Sequence, residues 1–300
     1  MGEKTNRVAG AAAALSGVLA LAGLGGGTTY ASTTSTPTTH FVMASFNVLG
    51  ASHTLNSKKY ATYGPRMVGE VATLESHAVD VVGFQEIQAK QRAKFNALTE
   101  NTWSMYPADS LRAIDGENSI AWRNDTWTLV SASTRPIPYF DGNIRNMPVV
   151  LLSNNLTHTQ AYFANFHNPA SNPAHGDQWT WRRKAINLEA ALANELAPSG
   201  IPVFFTGDMN ERYKVFCRIT GKSTLVAPRG GTNVPGGTYG NGCDPADPWY
   251  VDWIFTSRHI AHDGYVEDKT PALLHLTDHP IIVSGLTINP RYYPLATPSS

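Results

Sequence analysis

The stretch VFFTGDMNER (203–212) opens as an apolar run and closes on Gly207, Asp208, one spacer and Asn210. A continuous apolar run of this kind reads as a strand covered on both faces. Residues two apart on an extended chain share a face. The segment is therefore expected to aim a carboxylate and a carboxamide at one point, just past the tip of a buried strand. What that pair can do depends on what else arrives there.

Other segments supply the candidates. HFVMASFNVL (40–49), VDVVGFQEI (79–87), NSIAWR (118–123), TWTLVSAS (126–133), MPVVLLSNNLT (147–157), QAYFANFH (160–167), YVDWIFTS (250–257), IAHDGYVE (260–267) and PIIVSGLTI (280–288) read as strands. Helical spacing predicts helices over 65–78, with Pro65 in the first turn, over 88–100, and over 177–197, closed by PSG. Helices interleaved with strands of mixed direction give a layered α/β or α+β fold with more than one sheet. Residues 211–249 break the pattern. Their Gly-, Pro-, Asn- and Asp-rich part, 228–248, reads as a long irregular loop.

Several strands end on polar residues: Asn47, Glu86, His167, then Asp208 and Asn210. Asp252 sits inside an apolar, aromatic run, and Asp278 and His279 stand at the entrance to the last strand. Taken singly, each is an ordinary turn or packing residue. Together they offer oxygen ligands for a hard cation and two imidazoles able to move protons near neutral pH. A buried Asp252 needs a partner, because an isolated carboxylate is too costly to bury. A histidine would serve.

ASFNVL, VVGFQEIQ, ANFHNP, FFTGDMNER, VDWIF and LTDHP stand in the order seen in the endonuclease/exonuclease/phosphatase superfamily, and the chain resembles that DNase I-like group over about 41–288. The resemblance implies a four-layered α/β sandwich, with two central mixed β-sheets flanked by helices. It implies that Asn47, Glu86 and Asp278 surround Mg²⁺ or Mn²⁺, with Glu86 the principal ligand. Asp208 would orient or deprotonate the attacking water, and Asn210 would hold a phosphate oxygen or assist the metal. Asp252 would pair with His279, and His167 would protonate the leaving oxygen or bind the phosphate. IAWR is similar to the family's core strand ending in a basic residue, which makes Arg123 a candidate phosphate contact. The HNPAS that follows His167 departs from the family, and no acidic partner for His167 is matched. One Glu, one Asp and one Asn suit Mg²⁺ better than zinc, since Mg²⁺ takes oxygen ligands and often only one or two carboxylates.

The start of the chain reads differently. Lys4 and Arg7 precede an apolar, small-residue run and then Thr29 and Ala31, the order of a signal peptide over 1–31. The Ser/Thr/Pro-rich 32–40 reads as a flexible lead-in, 41–290 as one domain and 291–300 as a tail. Secretion is expected, with no stable membrane insertion once the signal is cleaved, and a monomer. The whole chain carries 23 basic and 23 acidic residues. Removing Glu3, Lys4 and Arg7 with the signal leaves 21 against 22, so no bulk field draws the protein to nucleic acid or acidic membrane. In an exported chain the two cysteines, Cys217 and Cys243, suggest one disulfide.

The expected substrate is a phosphoester. A secreted nuclease acting on DNA or RNA is one reading: Arg212, Lys214, Arg218, Lys222, Arg229 and the basic 180–184 segment could form a rim, with Trp179, Trp181 and Tyr239 stacking on bases. A phosphatase or phosphodiesterase of a small or lipid phosphoester, sphingomyelinase-like or inositol-phosphate-like, is the second. A non-catalytic binding module is the third, and it would need neither the metal set nor the histidines. TGKST (220–224) is no phosphate-binding loop, because Phe216 stands where that motif needs glycine.

Overall fold

Strand and helix patterning resolves, in the computed structural model, into an ordered succession over residues 37–295, the residues the structure describes. The expected signal over 1–31, residues 32–36 of the lead-in and residues 296–300 of the tail lie outside them. Along the chain come β1 (Thr39–Asn47), α1 (Tyr63–Ser76), β2 (Val81–Gln85), α2 (Ala89–Thr99), β3 (Trp103–Tyr106), α3 (Ala113–Gly116), β4 (Ile120–Arg123), β5 (Trp127–Pro138), β6 (Ile144–Asn154) and β7 (Gln160–His167). Then follow α4 (Trp179–Leu196), β8 (Val203–Asp208), α5 (Tyr213–Lys222), β9 (Leu225–Val226), β10 (Gly231–Tyr239), β11 (Asn241–Pro245), β12 (Asp252–Ser257), β13 (Ala261–Asp268) and β14 (Ile281–Ile288). One six-stranded sheet has the order β13-β14-β1-β2-β4-β3, the other β5-β6-β7-β8-β12-β9, and β10 and β11 form a separate hairpin.

Three apolar cores separate four layers, as a sandwich of two sheets between helices requires. Alternation along each strand assigns the side chains. On β1, Phe41 and Met43 face the other sheet, while Ala44 and Phe46 join the core under α1 and α2. On β8, Phe204 faces the first sheet, while Val203 and Phe205 pack with Ala185, Ile186 and Ala190 of α4 and Val215, Phe216 and Ile219 of α5. Between the sheets, Phe41 meets Trp127, Phe163 and Phe204 edge-on, with ring centroids 5.2–5.8 Å apart.

The inward faces change character toward one end. On β1 they read Phe41, Met43, Ser45, Asn47; on β7, Phe163, Asn165, His167; on β8, Phe204, Thr206, Asp208. β1 runs parallel to β2, and β7 parallel to β8, so the polar ends within each sheet fall side by side. A buried hydrogen-bonded layer lies between the apolar core and these ends. Asn165 Oδ1 accepts from Gln85 Nε2 at 2.7 Å and from Thr206 Oγ1 at 2.9 Å, while Asn165 Nδ2 donates to the Phe84 carbonyl at 2.6 Å. Gly83 leaves room for it: a Cβ there would come within 1.9 Å of Thr206 Oγ1 and 2.5 Å of Asn165 Oδ1.

Two expectations need correction, and a third, the disulfide, holds. β1 starts at Thr39, and near the C-terminus Tyr293 donates to the Arg258 carbonyl while Tyr292 stacks on His259, so the lead-in and tail boundaries shift. The segment 211–249 is not a long irregular loop. It holds the amphipathic α5 and the β10–β11 hairpin, whose positive-φ glycines at 231, 236 and 242 and register shift at Thr238 carry a strand pairing that composition disguises. The disulfide between Cys217 and Cys243 forms, and it fastens the hairpin to α5.

Candidate active site

Asp208 is the hub. It ends β8 and is buried, and its Oδ2 lies 3.5 Å from His167 Nε2, 3.6 Å from His279 Nε2 and 3.1 Å from Asn47 Nδ2. Its Oδ1 accepts the Asn210 backbone N–H at 2.9 Å. The turn behind this bond corrects the strand-based expectation. β8 stops at Asp208 and Asn210 has φ +46°, so the shared direction of Asp208 and Asn210 comes from an Asx turn rather than strand alternation. Met209, between them, faces the other way into the core beneath α4 and α5. Asn210 Nδ2 donates to the Asn168 carbonyl at 2.9 Å.

Asp252, the first residue of β12, lies opposite Asp208 in the antiparallel register. Its two oxygens accept His279 Nδ1–H at 2.9 and 3.1 Å. Burial opposes charge on His279, but Asp252 and then Asp208 outweigh it and push the imidazole up to about 11. His279 is thus an imidazolium at neutral pH, with Nε2–H turned toward Asp208. His167 goes the other way. Burial lowers it, against the pull of Asp208 and Glu86, and its Nδ1 has no partner. Burial also raises Asp208, with His279 opposing.

Glu86 follows β2 in a left-handed conformation, φ +61°. Its Oε1 accepts from Asn47 Nδ2 at 3.2 Å, and its Oε2 accepts from the Gly50 N–H at 2.9 Å and faces His53 Nδ1 at 3.0 Å. Burial would raise it, but the His53 bond, the charge of His167 and the Gly50 N–H hold it well below the usual carboxylate range. Buried Arg66 fixes the surrounding backbone: it donates to the carbonyls of Val48, Leu49 and Leu276 as well as to Glu70. Thr277 Oγ1 donates to the Asn47 carbonyl at 2.8 Å. These bonds tie the end of β1 to the loop carrying Asp278 and His279.

Glu86, His53, His167, Asp208, Asn210 and His279 border one cleft of about 430 Å³. The donors fit a hard divalent cation: an ionised Glu86, the Asn47 amide and the Asp208 carboxylate are oxygen-bearing groups, with no thiolate among them. Donor atoms of Asp208, Asp252 and His279 also lie within 4.8 Å of one another. Asp252, however, spends both oxygens on His279, which makes that pair a proton-handling dyad and leaves Glu86 as the better cation anchor. Asp278 is exposed. Its charge raises both His53 and His279, which places it beside the cleft, but it makes no hydrogen bond to Asn47 or Glu86.

Arg123 is not in the site. β4 runs antiparallel to β2, so the end of β4 lies beside the start of β2, away from Glu86. There Arg123 bonds Glu75 and the Val79 carbonyl and covers Trp103. The cation in the cleft is Arg145, on β6, held by Glu117 Oε2 at 3.1 Å and lying 3.9 Å over the Tyr139 ring. His53, Glu117, Tyr139 and Arg145 were not legible as site residues. Arg145 precedes an apolar strand in IRNMPVV just as Asp278 and His279 precede PIIV, and that was the available signal.

A family model described as the Endonuclease/Exonuclease/phosphatase family matches residues 44–279. The chain belongs to this family. It is a hydrolase of phosphoesters by that membership. No curated protein sequence matches it. Among solved structures, it is similar to an endonuclease/exonuclease/phosphatase family protein of Bacteroides thetaiotaomicron at 14% identity and TM-score 0.62, covering 84% of this chain and 98% of that one. The human Nocturnin catalytic domain with bound sulfate matches at 15% and 0.61, covering 82% and 94%. D. rerio TDP2 complexed with single-strand DNA product matches at 16% and 0.60, covering 82% and 98%. At these identities the structural likeness shows the family's two-sheet sandwich.

Proposed function

We propose that this family member is an exported, divalent-cation-dependent phosphodiesterase whose substrate is nucleic acid. The observation that carries the reading is Asp208, shared between the imidazoles of His167 and His279, beside an ionised Glu86 at one end of a polar cleft. Phosphodiester hydrolysis needs an in-line water, neutralised phosphoryl charge and a stabilised leaving oxygen. Asp208 accepts the proton of the attacking water, and burial raises its basicity for that task. The His279 imidazolium, oriented by Asp252, donates Nε2–H to a non-bridging phosphoryl oxygen. Asn210, His167 and Arg145 border the same cleft, where they would meet the other non-bridging oxygen and the leaving oxygen, which departs as an alkoxide and takes its proton from solvent. Glu86 and the Asn47 amide would hold Mg²⁺ or Mn²⁺, with Asp278 beside the cleft as a further carboxylate, and the cation would supply charge neutralisation to the reaction.

Export is supported by the order of residues over 1–31 and by the disulfide. No described helix is long and apolar enough to cross a membrane. Nucleic acid is favoured by two similar structures, D. rerio TDP2 complexed with single-strand DNA product and ANGEL2, a 2′,3′-cyclic phosphatase, in complex with adenosine-2′,3′-vanadate.

The test offers plasmid DNA, an RNA oligonucleotide, bis-p-nitrophenyl phosphate, p-nitrophenyl phosphate and sphingomyelin, with Mg²⁺, Mn²⁺ or EDTA, to the protein and to Asp208→Asn. Cleavage of nucleic acid with metal, abolished by EDTA and in Asp208→Asn, is the expected result. Turnover confined to the monoester or the lipid would move the substrate to a small or lipid phosphoester.

A further inference from the structure

A second cleft, of about 510 Å³, opens between α5 and the β10–β11 hairpin. Trp179, at the start of α4, and the stacked pair Tyr213 and Tyr239, with centroids 4.1 Å apart, give it aromatic walls. Lys214, Arg218 and Lys222 stand four residues apart on α5, hence on one helix face, and all three border the cleft. The Lys214 ammonium lies 4.3 Å and the Arg218 guanidinium 5.3 Å from the Trp179 ring centre. Neither cation has an ion-pair partner among the described residues, and Lys222 donates only to Asn187 Oδ1. Asp177, close enough to feel the Lys214 charge, is engaged by the Trp179 N–H and the Ser171 hydroxyl. The hairpin wall is fixed to α5 by the disulfide and by Asn233 Nδ2, which donates to the Cys217 carbonyl at 2.9 Å.

The two clefts adjoin. Asn210 borders the catalytic one and Tyr213 the second, and three residues span at most about 11 Å. Asp208 and Tyr213 stand five residues apart, at most about 18 Å, so at roughly 3.4 Å per nucleotide a strand with its reacting phosphate at Asp208 reaches the second cleft within about five nucleotides. A row of cations without acidic partners suits backbone phosphates, and the exposed Tyr239 ring, backed by Tyr213, suits an unstacked base, which a duplex keeps inside its stack. We propose that this cleft is a subsite for single-stranded polynucleotide, continuous with the catalytic cleft; the continuity rests on the phosphodiesterase reading above. Several residues grouped with this rim by sequence do not border the cleft, among them Arg212, Arg229, Trp181 and the Glu211-paired Arg182. Arg229 is paired with Asp247 and Glu267, and Trp181 packs over Gly142.

The test is equilibrium anisotropy of a fluorescein-labelled dT₁₂ in EDTA, where binding is read without turnover. Lys214→Ala/Arg218→Ala is expected to weaken binding at least tenfold and to flatten the log K against log salt slope by about 1.4. Trp179→Ala is expected to weaken it by about 5- to 100-fold, with Trp179→Phe recovering most of the loss. The control pair Arg258→Ala/Arg291→Ala removes equal charge beyond the opposite end of β12 from Asp252 and is expected to bind as the parent does. Far-UV circular dichroism of each variant reports its folding. Unaltered affinity and salt slope in the folded Lys214/Arg218 variant, or a duplex bound as tightly as the single strand, would overturn the proposal. Strand binding that depends on these cations without cleavage of any nucleic acid would leave the subsite standing and sink the nuclease reading. Cleavage of DNA indifferent to them would do the reverse.

Discussion

Asp252→Asn isolates the electrostatics of the site. In the parent, His279 is pushed up to about 11, chiefly by Asp252 and then Asp208 against the opposing effect of burial. It stays charged across the working pH range. The amide keeps the shape of the carboxylate but loses its charge, and its NH₂ can face Nδ1 and favour the wrong tautomer. If His279 returns to the ordinary value of about 6.5, its charged fraction is about 76% at pH 6 and about 3% at pH 8. A reaction needing the imidazolium then loses little from this cause at pH 6 and about 30-fold at pH 8, on top of a pH-independent loss from misorientation. The remaining acids, Asp208 and Asp278, move the midpoint upward without reversing the trend. The assay is kcat/KM for bis-p-nitrophenyl phosphate from pH 5.5 to 9 at saturating Mn²⁺, with the parent profile as divisor. A ratio flat in pH, or a defect that shrinks as pH rises, would refute the assignment of His279 as a charged donor. The sign for stability follows the same pair. His279 is raised on folding, so its pairing contributes fully below about pH 6.5 and is lost as pH rises toward about 11.

Gly83→Ala should cost about 2–4 kcal/mol in chemical denaturation, because its Cβ would strike Thr206 Oγ1 and Asn165 Oδ1 and break the buried layer under the site. An unchanged midpoint would mean that the layer yields freely. Glu189 is fully buried with both carboxylate oxygens unpartnered, and burial pushes it up to about 8 against the opposing influence of nearby Asn168. The folded state therefore holds a proton that the unfolded state has lost between about pH 4.5 and 8, and stability falls with pH across that window. Glu189→Gln should remove up to about 1.4 kcal/mol per pH unit of that slope, and parallel curves for the two proteins would contradict it. Replacing Cys217 and Cys243 by serine opens a loop with sequence separation 26 and should cost about 3.5 kcal/mol in equilibrium unfolding on the chain-entropy model. A loss under about 1 kcal/mol would show that the hairpin is held by its other contacts.

Strand periodicity made much of this fold legible. The inward series Phe41, Met43, Ser45, Asn47 shows the turn from core to site within one strand, and the residues that end β1, β7 and β8 do meet. Such series report which face a residue takes, but not which end of a neighbouring strand it lies beside. Arg123 failed for that reason: its strand runs antiparallel to β2, a fact of topology absent from the local pattern. Arg145 and His53 were missed because each reaches the cleft from outside the motifs, His53 from a single 3₁₀ turn (51–54) and Arg145 from the start of a strand. The 228–248 hairpin was hidden by composition, since glycine and proline ordinarily argue against strands. Here positive-φ glycines carry the bulge, and the disulfide holds the pairing in place. Asn210 was placed correctly in direction for the wrong reason, the Asx turn having done what strand alternation was expected to do.

The proposed role of Glu86 as anchor of a required divalent cation is met most directly by the rate of bis-p-nitrophenyl phosphate hydrolysis against Mn²⁺ concentration, for the parent and for Glu86→Gln. No turnover in EDTA, saturable activation by Mn²⁺, and a midpoint at least tenfold higher in Glu86→Gln are expected. Turnover that survives EDTA, or an Mn²⁺ midpoint unmoved by Glu86→Gln, would contradict it.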